Sequence, residues 1–566
     1  MRLLDSRRLT GANFIAGGPG AVIDVSFGGR EPELVIGAWK EQVRRLLAEL
    51  DWDPQGIAVR RFDGGASLVI AAPVDGLYTA CELNEAAWDA TRDWIEGSQR
   101  HLLLRTARGL RAGYRDEERP RLMRLLAAAG ERGVPSLLDE DCLSLGLGCR
   151  SSSWDLYELP HPDDVDWESL GTIPVVLITG TNGKTTTSRL LGAIAQAAGV
   201  TAGVSSTDWL AMGGEIVDRD DYAGPGGARR VLRDRRCELA LLETARGGLL
   251  RRGLALQRAD VALITNIAAD HLGEFGINST GELADVKWSV VRALDGDGTL
   301  VLNAEDPLLM ARAAASPAPL RLFAVEPQAP ALRAHLDAGG IGYSLRRGQL
   351  QRLQGGRGES LCPLRDIPVC FGGAARHNVA NALAAVAVAD SLGLPAAAIR
   401  GGLCNFEHSD NPGRANLYRV GEVTVLLDFA HNPAGLAALL PIVQSLPARR
   451  RLLVIGQAGD RSDADIADFA RAAAPVAFDR ILVKRMEGHA RGREAGAVAA
   501  LLRRAFLDQG YPPAAVAQVK TELGAARAAL RWAQPGDLVL FLSHEKREHS
   551  RAFFERRAQP SPASGG

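Results

Sequence analysis

The stretch Val175-Val-Leu-Ile-Thr-Gly-Thr-Asn-Gly-Lys-Thr-Thr-Thr187 decides how the central part of this chain folds. A short apolar run, typical of a buried strand, leads into a glycine-rich turn, and a helix-like segment starts at Ser188. A phosphate-binding loop requires this strand–loop–helix order, because the glycines let backbone N–H groups turn toward phosphate oxygens. The alternative interpretation is an ordinary turn between a strand and a helix.

The side chains of this loop have the chemistry that a nucleotide site needs. Lys184 can reach the terminal phosphates, and the hydroxyl of Thr185 can reach a magnesium ion. The sequence therefore predicts ATP and Mg²⁺ as cofactors. The predicted nucleotide contacts in the loop are Gly180, Thr181, Asn182, Gly183, Lys184, Thr185 and Thr186.

Composition narrows the class of protein. The 566 residues suffice for about three domains. Lys and Arg total 66 and Asp and Glu total 67, so the charge balance gives no reason to expect a nucleic-acid partner. Seven scattered cysteines without a C-x-x-C pair favour a reducing compartment and argue against a zinc site. Apolar runs of about 18 residues are absent, so we expect a cytoplasmic protein without a membrane partner.

The pattern of strands and helices predicts an α/β protein of three domains. Residues 1–165 combine strand-like runs at 21–27 and 66–72 with an amphipathic helix at 35–50, as in an α+β domain. Residues 170–405 alternate strands and helices around the phosphate loop, and residues 406–555 repeat a Rossmann-like alternation with strands at 423–428, 451–455, 481–484 and 538–542. Residues 159–164 indicate a linker, and residues 556–566 a disordered tail.

Polar residues follow three apolar strands of the central domain. One strand ends at the phosphate loop, a second at Glu243, and a third at Asn266 and then Asp270. If these strands are parallel, their carboxyl ends lie along one sheet edge, where open α/β sheets bind ligands. We therefore expect Glu243 to bind magnesium, directly or through water, and Asn266 to contact the nucleotide. The alternative for Glu243 is a carboxylate that caps the next helix.

Two further residues lie downstream of the third strand. His271 follows Asp270 and is aimed at the same sheet edge, so we expect it to contact metal or phosphate; the alternative is a structural histidine. Lys287 lies on a helix-like segment, one turn after Leu283. Its periodicity alone assigns it no role, because an isolated helical lysine is normally exposed.

Amide and charged residues suggest nucleotide contacts from later segments. Asn378 and Asn381 share one helix face and suit recognition of adenine edges, although Asn378 also suits an N-terminal cap. Arg414 can neutralise phosphate charge at a domain junction, and Asp428 can accept hydrogen bonds from ribose hydroxyls.

Two strand-end turns of the last domain are candidate substrate contacts. One contains His431 and Asn432, and the other, which is rich in glycine, contains Asp460 and Arg461. Plain turns are the alternative at both places.

Taken in order, these segments resemble the Mur ligase superfamily over about residues 170–550. Members of that family join a carboxylate to an amine with ATP, through an acyl phosphate. The chain is most similar to the Mur-like half of the cyanophycin synthetase family. The similar segments are Arg7-Arg-Leu-Thr-Gly-Ala-Asn13, Glu243-Thr-Ala-Arg-Gly-Gly-Leu-Leu-Arg-Arg-Gly-Leu254, Asp270-His-Leu-Gly-Glu-Phe-Gly-Ile277 and Asn411-Pro-Gly-Arg-Ala-Asn416.

The resemblance implies roles that periodicity does not. It assigns catalytic roles to Lys184, Glu243, His271 and Lys287, and it implies nucleotide contacts at Arg414 and Asp428 from the last domain. In several members of the superfamily the lysine matching Lys287 is carbamylated and binds a second Mg²⁺. The metal ligands that the resemblance implies are therefore Thr185, Glu243, His271 and, in its carbamylated form, Lys287.

One departure from that family limits the expected activity. Cyanophycin synthetases carry an ATP-grasp module before the Mur-like part, whereas here about 165 residues precede the phosphate loop. The resemblance thus implies one amide-forming activity, with an amino acid such as Arg or Lys as donor and an acidic peptide or polymer as acceptor. A separate ATP-grasp ligase is an expected partner, and we expect a homo-oligomer with the N-terminal domain as its assembly surface.

Three alternatives stay open at this point. The chain could act on a folate or cell-wall precursor, it could be a non-catalytic partner of a synthetase, or it could be a P-loop ATPase that drives motion. The cyanophycin-like segments argue against the first, and the intact Lys184, Glu243, His271 and Arg414 argue against the second. The third would require a conventional Walker B pair.

Overall fold

The computed structural model describes residues 1–53, 55–97, 103–270 and 272–558. His271, which the sequence predicts as a metal ligand, lies outside the described residues, and so do residues 559–566 of the predicted tail. The described helices include no segment with the length and apolar character needed to cross a membrane.

The N-terminal part begins with a four-stranded antiparallel sheet of order β1-β2-β4-β3. The helix predicted at 35–50 is present and buries Trp39, Val43 and Leu47 against this sheet. Its elements are β1 (Arg2–Leu9), β2 (Gly20–Ser26), α1 (Pro32–Glu49), β3 (Ile57–Phe62), β4 (Gly65–Ala71), α2 (Leu77–Ile95) and α3 (Leu103–Glu117).

A second, smaller core follows within the first 165 residues. It contains α4 (Pro120–Glu131) and a three-stranded antiparallel sheet of β5 (Ser136–Leu138), β6 (Cys142–Leu145) and β7 (Ser152–Asp155). Leu159, at the start of the segment expected to be a linker, is buried in this core. The linker therefore packs as part of the fold rather than spanning open solvent.

The central domain is built on an eleven-stranded sheet. Its elements are β8 (Val175–Thr179), α5 (Lys184–Ala197), β9 (Ala202–Ser205), β10 (Leu210–Met212), β11 (Glu215–Asp218), α6 (Pro225–Arg233), β12 (Leu239–Glu243), α7 (Arg246–Arg251), β13 (Val261–Ile264), α8 (Thr280–Trp288), β14 (Thr299–Asn303), α9 (Pro307–Ala313), β15 (Leu320–Ala324), α10 (Pro330–Asp337), β16 (Ile341–Arg346), β17 (Gln349–Gln354), β18 (Arg357–Pro363), α11 (Arg376–Ser391) and α12 (Ala396–Cys404). The strand order is β11-β10-β9-β12-β8-β13-β14-β15-β16-β17-β18.

The three strands that end in predicted site residues are neighbours. Strand β8 lies between β12 and β13 and pairs parallel with both, so their carboxyl ends meet at one edge. Helices cover both faces of the sheet. Helices α5, α11 and α12 pack on one face, and α6 to α10 contribute apolar side chains to the core on the other. This is an open, doubly wound α/β architecture.

The C-terminal domain is a six-stranded sheet with helices on both faces, and every strand predicted for it is present. Its order is β19-β20-β24-β21-β22-β23, parallel except for the β19–β20 pair. The elements are β19 (Asn416–Val420), β20 (Val423–Asp428), α13 (Pro433–Ser445), β21 (Arg451–Ile455), α14 (Asp463–Arg471), β22 (Arg480–Lys484), α15 (Ala497–Asp508), β23 (Val516–Val519), α16 (Glu522–Trp532), β24 (Leu538–Leu542) and α17 (Arg547–Glu555). The predicted α/β fold class is confirmed.

Candidate active site

The phosphate loop connects the buried strand β8 to the N-terminus of α5. Gly183 has φ +90°, a left-handed conformation, and a Cβ at this position would lie 2.2 Å from Oδ1 of Asn381. Only glycine fits there, because any side chain would meet the Asn381 amide and strain the backbone. Helix α5 begins at the next residue, Lys184, so its free N–H groups face the loop as anion binding requires.

Residues from the end of β13 hold the loop in shape. The backbone N–H of Asn182 donates to Oδ1 of Asn266 over 3.0 Å, and Nδ2 of Asn266 donates back to the Asn182 carbonyl over 2.9 Å. The hydroxyl of Thr265 donates to the same carbonyl over 2.7 Å. Asn266, which the sequence predicts as a nucleotide contact, therefore shapes the loop that would bind the phosphates.

Glu243 lies at the carboxyl end of β12 with 1% of its surface exposed. Its carboxylate accepts hydrogen bonds from the hydroxyl of Thr185 at 3.0 Å, the hydroxyl of Thr207 at 2.7 Å and the N–H of Thr207 at 3.2 Å. The next helix begins after Ala245 without a side-chain cap, so the capping alternative for Glu243 is wrong. These hydrogen-bond donors are neutral groups, so the negative charge of the carboxylate is available to bind a cation.

Lys287 is buried in the same site, although its helical spacing indicated no role. Its Nζ donates to the Gly180 carbonyl over 2.8 Å, and Nζ of Lys184 donates to that same oxygen over 3.1 Å. Burial, and then the neighbouring Lys184 charge, lower the pKa of Lys287 well below its ordinary value. Carbon dioxide reacts with the neutral form of an amine to give a carbamate, and a lowered pKa favours that form. Carbamylation of Lys287 stays a prediction.

The donor set fits magnesium. Mg²⁺ takes oxygen ligands and keeps several positions for water and substrate phosphates, so one or two protein ligands suffice. The hydroxyl of Thr185 and the carboxylate of Glu243, 3.0 Å apart, provide such a pair beside the phosphate loop. Within the described residues, no group of three or more His, Cys, Asp or Glu side chains could hold a metal ion by itself.

Asn378 and Asn381 are buried on α11 and bonded to one another. Nδ2 of Asn381 donates to Oδ1 of Asn378 over 3.2 Å, and Nδ2 of Asn378 donates to the Val369 carbonyl over 2.8 Å. The N-cap of α11 is Ala375, so the capping alternative for Asn378 is wrong. Asn381 instead lies close to Gly183, and the contact of the two asparagines with adenine stays a prediction.

The C-terminal domain also contacts the carboxyl edge of the central sheet. Nδ2 of Asn432 donates to Oδ1 of Asn182 in the phosphate loop over 3.3 Å. Arg461 donates to Oδ1 of Asp270 over 2.9 Å, and Nε2 of His431 lies 3.6 Å from Oδ2 of the same aspartate. Three of the four predicted substrate contacts therefore touch the central domain at the site.

Asp460, the fourth, is exposed on the turn after β21, beside Arg461. Arg493 fixes this turn, because it donates to the backbone carbonyls of Gly459 and Arg461 over 2.8 and 2.5 Å. The turn thus has a defined shape, and contact of Asp460 with a substrate stays a prediction.

Asp428 supports the segment that carries Arg414. Its carboxylate accepts from the N–H groups of Ala415 and Ala430 over 2.7 and 2.6 Å. Burial raises the pKa of Asp428, against the opposing effect of Arg414. The guanidinium of Arg414 lies 4.9 Å from the ring centre of Phe429, at the domain junction. Both residues are near the site, and their contacts with nucleotide stay predictions.

Asp208 forms an ionic contact between the central and C-terminal domains that the sequence did not predict. Its carboxylate accepts from Arg189 of α5 over 2.6 Å and from Arg547 over 2.5 Å, and Arg414 lies 3.7 Å away. Burial acts to raise the pKa of Asp208, but these three arginines hold it below its usual value. Arg189 also donates to Oδ1 of Asn411 over 2.9 Å, so one buried arginine binds both Asp208 and the segment between α12 and β19.

Comparisons with known proteins agree with this architecture. The Mur ligase middle domain matches residues 178–389, and the glutamate ligase domain of Mur ligases matches residues 413–544. The chain is 39% identical to a cyanophycin synthetase of Synechocystis sp. over 370 residues, which are 65% of this chain and 42% of that protein. The chain thus spans less than half the length of that relative.

Two other relatives are covered more completely. The UDP-N-acetylmuramoyl-L-alanyl-D-glutamate--2,6-diaminopimelate ligase of Geobacter metallireducens is 30% identical over 390 residues, which are 65% of this chain and 73% of that protein. A folylpolyglutamate synthase of Mycobacterium tuberculosis, solved with ADP, shares the fold with a TM-score of 0.51 at 21% identity, over 68% of this chain and 91% of that one. The chain therefore belongs to the Mur ligase family of ATP-dependent amide-bond ligases.

Proposed function

We propose that this protein joins an amino acid to an acidic peptide or polymer related to cyanophycin, as an ADP-forming carboxylate–amine ligase. The observation that carries the proposal is the convergence of Lys184, Thr185 and Glu243 at the carboxyl edge of β8 and β12. A lysine, a hydroxyl and a buried carboxylate beside a glycine-rich loop are suited to phosphoryl transfer from Mg-ATP.

The proposed reaction has two steps. An acceptor carboxylate oxygen attacks the γ-phosphorus of ATP, the bond to the β-phosphate oxygen breaks, and an acyl phosphate and ADP result. The amine of the donor then attacks the acyl carbon, phosphate leaves, and an amide forms with loss of a proton. Lys184 would move from the Gly180 carbonyl to the transferred phosphoryl group and stabilise its charge.

Magnesium, held by Thr185 and Glu243, would supply charge neutralisation on the phosphates when bound. We expect His271 and carbamylated Lys287 to complete the metal site, and Asn378, Asn381, Arg414 and Asp428 to surround the nucleotide. Because contacts come from both domains, closure of the C-terminal domain would exclude water from the acyl phosphate.

Similarity to known proteins and the charge of exposed side chains favour particular substrates. The match to cyanophycin synthetase favours an amino-acid donor such as Arg or Lys and an acidic acceptor. Asp460, one of the four predicted substrate contacts, is exposed, and its carboxylate would suit a cationic amino acid. We further propose that a separate ATP-grasp ligase cooperates with this protein, which acts as a homo-oligomer without a nucleic-acid or membrane partner.

The proposal is tested by incubating the protein with Mg-ATP, poly-aspartate or other acidic peptides, and each amino acid in turn. We expect amine-dependent phosphate release together with a product whose mass increases by one residue. Folate and cell-wall precursors serve as competing acceptors, and activity on those alone would contradict the proposed substrate. No release with any pair would favour a non-catalytic partner of a synthetase.

The Lys184→Ala variant gives the residue-level control for that assay. Removal of the ammonium group should abolish turnover, because the charge on the transferred phosphoryl group is then left uncompensated. The exposed Lys520 provides a matched Lys520→Ala variant that should keep wild-type rates. Near-normal ADP release by Lys184→Ala would contradict the assignment of this site.

A further inference from the structure

The N-terminal domain contacts two segments that leave the active-site edge of the central sheet. The β12 exit segment (residues 244–254) follows Glu243, and the β13 exit segment (residues 265–270 and 272–277) follows the strand that braces the phosphate loop. Neither contact was expected from the sequence, which gave the first domain no catalytic constellation. Both contacts include hydrogen bonds to backbone atoms of these segments.

The β12 exit segment pairs with the chain that follows β1. The N–H of Thr10 donates to the Arg252 carbonyl over 2.9 Å, and the N–H of Leu254 donates to the Ala12 carbonyl over 2.7 Å. A Cβ on Gly11 would lie 2.4 Å from the Leu254 carbonyl oxygen. The two backbones approach so closely that this position requires glycine.

Arg60 of β3 binds the far end of the β13 exit segment. Its guanidinium donates to the carbonyls of Phe275 and Gly276 over 3.2 and 2.6 Å, and to the carboxylate of Glu282 over 3.0 Å. Phe62, two residues along the strand, lies against Gly276, where an added Cβ would be 2.5 Å from the ring. Three acceptors around one charged group with 13% of its side chain exposed make this a fixed contact.

The near end of the same segment is bonded to the phosphate loop. The N–H of Thr181 donates to the Asn266 carbonyl over 2.8 Å, and the N–H of Ala268 donates to the Thr181 hydroxyl over 3.0 Å. Asp270 lies between these two ends and is bound by Arg461 of the C-terminal domain. One short segment thus connects the phosphate loop, the C-terminal domain and the N-terminal domain.

We propose that Arg60 is a positioning residue for the active site, and that the N-terminal domain acts through it to hold the β13 exit segment in the shape that the phosphate loop needs. An exposed ion pair would contribute little to such a function. Arg60 differs because two of its acceptors are backbone carbonyls, so the bonds fix the path of the chain itself. This inference extends the proposed function by giving the first domain a part in it.

Hydrogen exchange of the full-length protein tests the inference independently of activity. The variants are Arg60→Ala, Arg60→Lys and Arg61→Ala, the last removing the neighbouring arginine, which is half exposed and pairs with Glu33 on the surface. We expect Arg60→Ala to accelerate amide exchange in residues 272–277 and also in residues 266–270 and 181–183, by about ten-fold or more. Arg61→Ala should match the wild type, and Arg60→Lys should lie between them. Faster exchange confined to residues 272–277 would overturn the proposal.

Kinetics provide a second measurement that a purely structural role would not change. In Arg60→Ala we expect the KM for Mg-ATP to rise by about ten-fold while the thermal unfolding temperature stays within about 3 °C of that of Arg61→Ala. An unchanged KM and kcat in Arg60→Ala would also overturn the proposal. If the wild type itself shows no ligase activity, the proposed function fails, whereas the exchange result still decides the role of Arg60.

Discussion

Gly183 shows how much of the site depends on single residues. Its left-handed backbone turns the phosphate loop into α5, and the Asn381 amide occupies the space where a side chain would project. Backbone strain and steric conflict can be tested separately, because Gly199, just after the same helix, also has positive φ (+73°) but has no atom within 4 Å of the place where a Cβ would lie.

We therefore expect Gly183→Ala and Gly199→Ala to behave differently. Both variants should lose about 1–2 kcal/mol of unfolding free energy to backbone strain. Only Gly183→Ala should also lose nucleotide affinity, by about 100-fold, because its methyl group displaces Asn381 and the loop. Denaturant unfolding and calorimetric titration with Mg-ADP measure the two effects. Equal nucleotide affinity in the two variants would contradict the assigned geometry.

At the scale of residues, the sequence predicted those site members that carry a local signal. The loop glycines, Lys184 and Glu243 could be identified because a strand, a turn and a helix surround them in a recognisable order. Thr207 carried no such signal: its contact with Glu243 depends on β9 lying beside β12, which only the sheet order reveals. Helical spacing also gave Lys287 no role, because it cannot distinguish a lysine that is buried in the site from an exposed one. Only the resemblance to the family indicated this residue.

A buried ion pair in the C-terminal domain joins strand β22 to helix α16. Lys484, the last residue of β22, and Glu522, the first residue of α16, form an ion pair with side chains 0% and 1% exposed. Glu522 also accepts from the hydroxyl of Ser543 over 2.6 Å and from the N–H of His544 over 2.9 Å. The pair thus holds the turn after β24, which leads to Arg547 at the domain junction.

Removing one partner of this pair should be costly. We expect Lys484→Met to lower the unfolding free energy by about 3–5 kcal/mol, because Glu522 is left buried without its cation. The double variant Lys484→Met with Glu522→Gln should recover part of that loss. Arg485→Met, which removes the half-exposed neighbour that faces Glu487 at 3.8 Å, should cost about 0–1 kcal/mol. Equal losses in the two single variants would contradict the role of the buried pair.

The pair also predicts a pH dependence. Burial acts to raise the pKa of Glu522, but Lys484 and the hydrogen bonds hold it below its usual value. A lowered folded-state pKa gives stability that is present above the unfolded value of about 4.3 and is lost as the pH falls below it. When the pH is lowered from about 6 to about 3, the wild type should therefore lose more unfolding free energy than the double variant.

At the scale of elements, the strands were the most predictable part of the fold. Short apolar runs bounded by glycine or charge marked β8, β12, β13 and four strands of the C-terminal sheet. The division of the first 165 residues into two cores was not predicted, because Leu159 sits among prolines and aspartates that resemble a linker. Such a residue is assigned to a core only by its three-dimensional neighbours.

The C-terminal domain meets the central domain beside the phosphate loop, and Asp208 is the centre of one of these contacts. It binds Arg189 of the central domain and Arg547 of the C-terminal domain at once. We expect Asp208→Asn to loosen the C-terminal domain, which should raise the radius of gyration in small-angle scattering and lower kcat by about ten-fold or more. Asp218→Asn, whose carboxylate pairs with Arg230 within one domain, is the matched control. An unchanged domain arrangement in Asp208→Asn would contradict this role.

The most direct test of the account follows the acceptor oxygen. Poly-aspartate with oxygen-18 in its carboxylates is incubated with the protein, Mg-ATP and the amino acid that supports turnover, and the released phosphate is analysed by mass spectrometry. Because an acyl phosphate places one acceptor oxygen on phosphorus, the account predicts one oxygen-18 atom in each phosphate released with amide formation. Amide formation with unlabelled phosphate would contradict it.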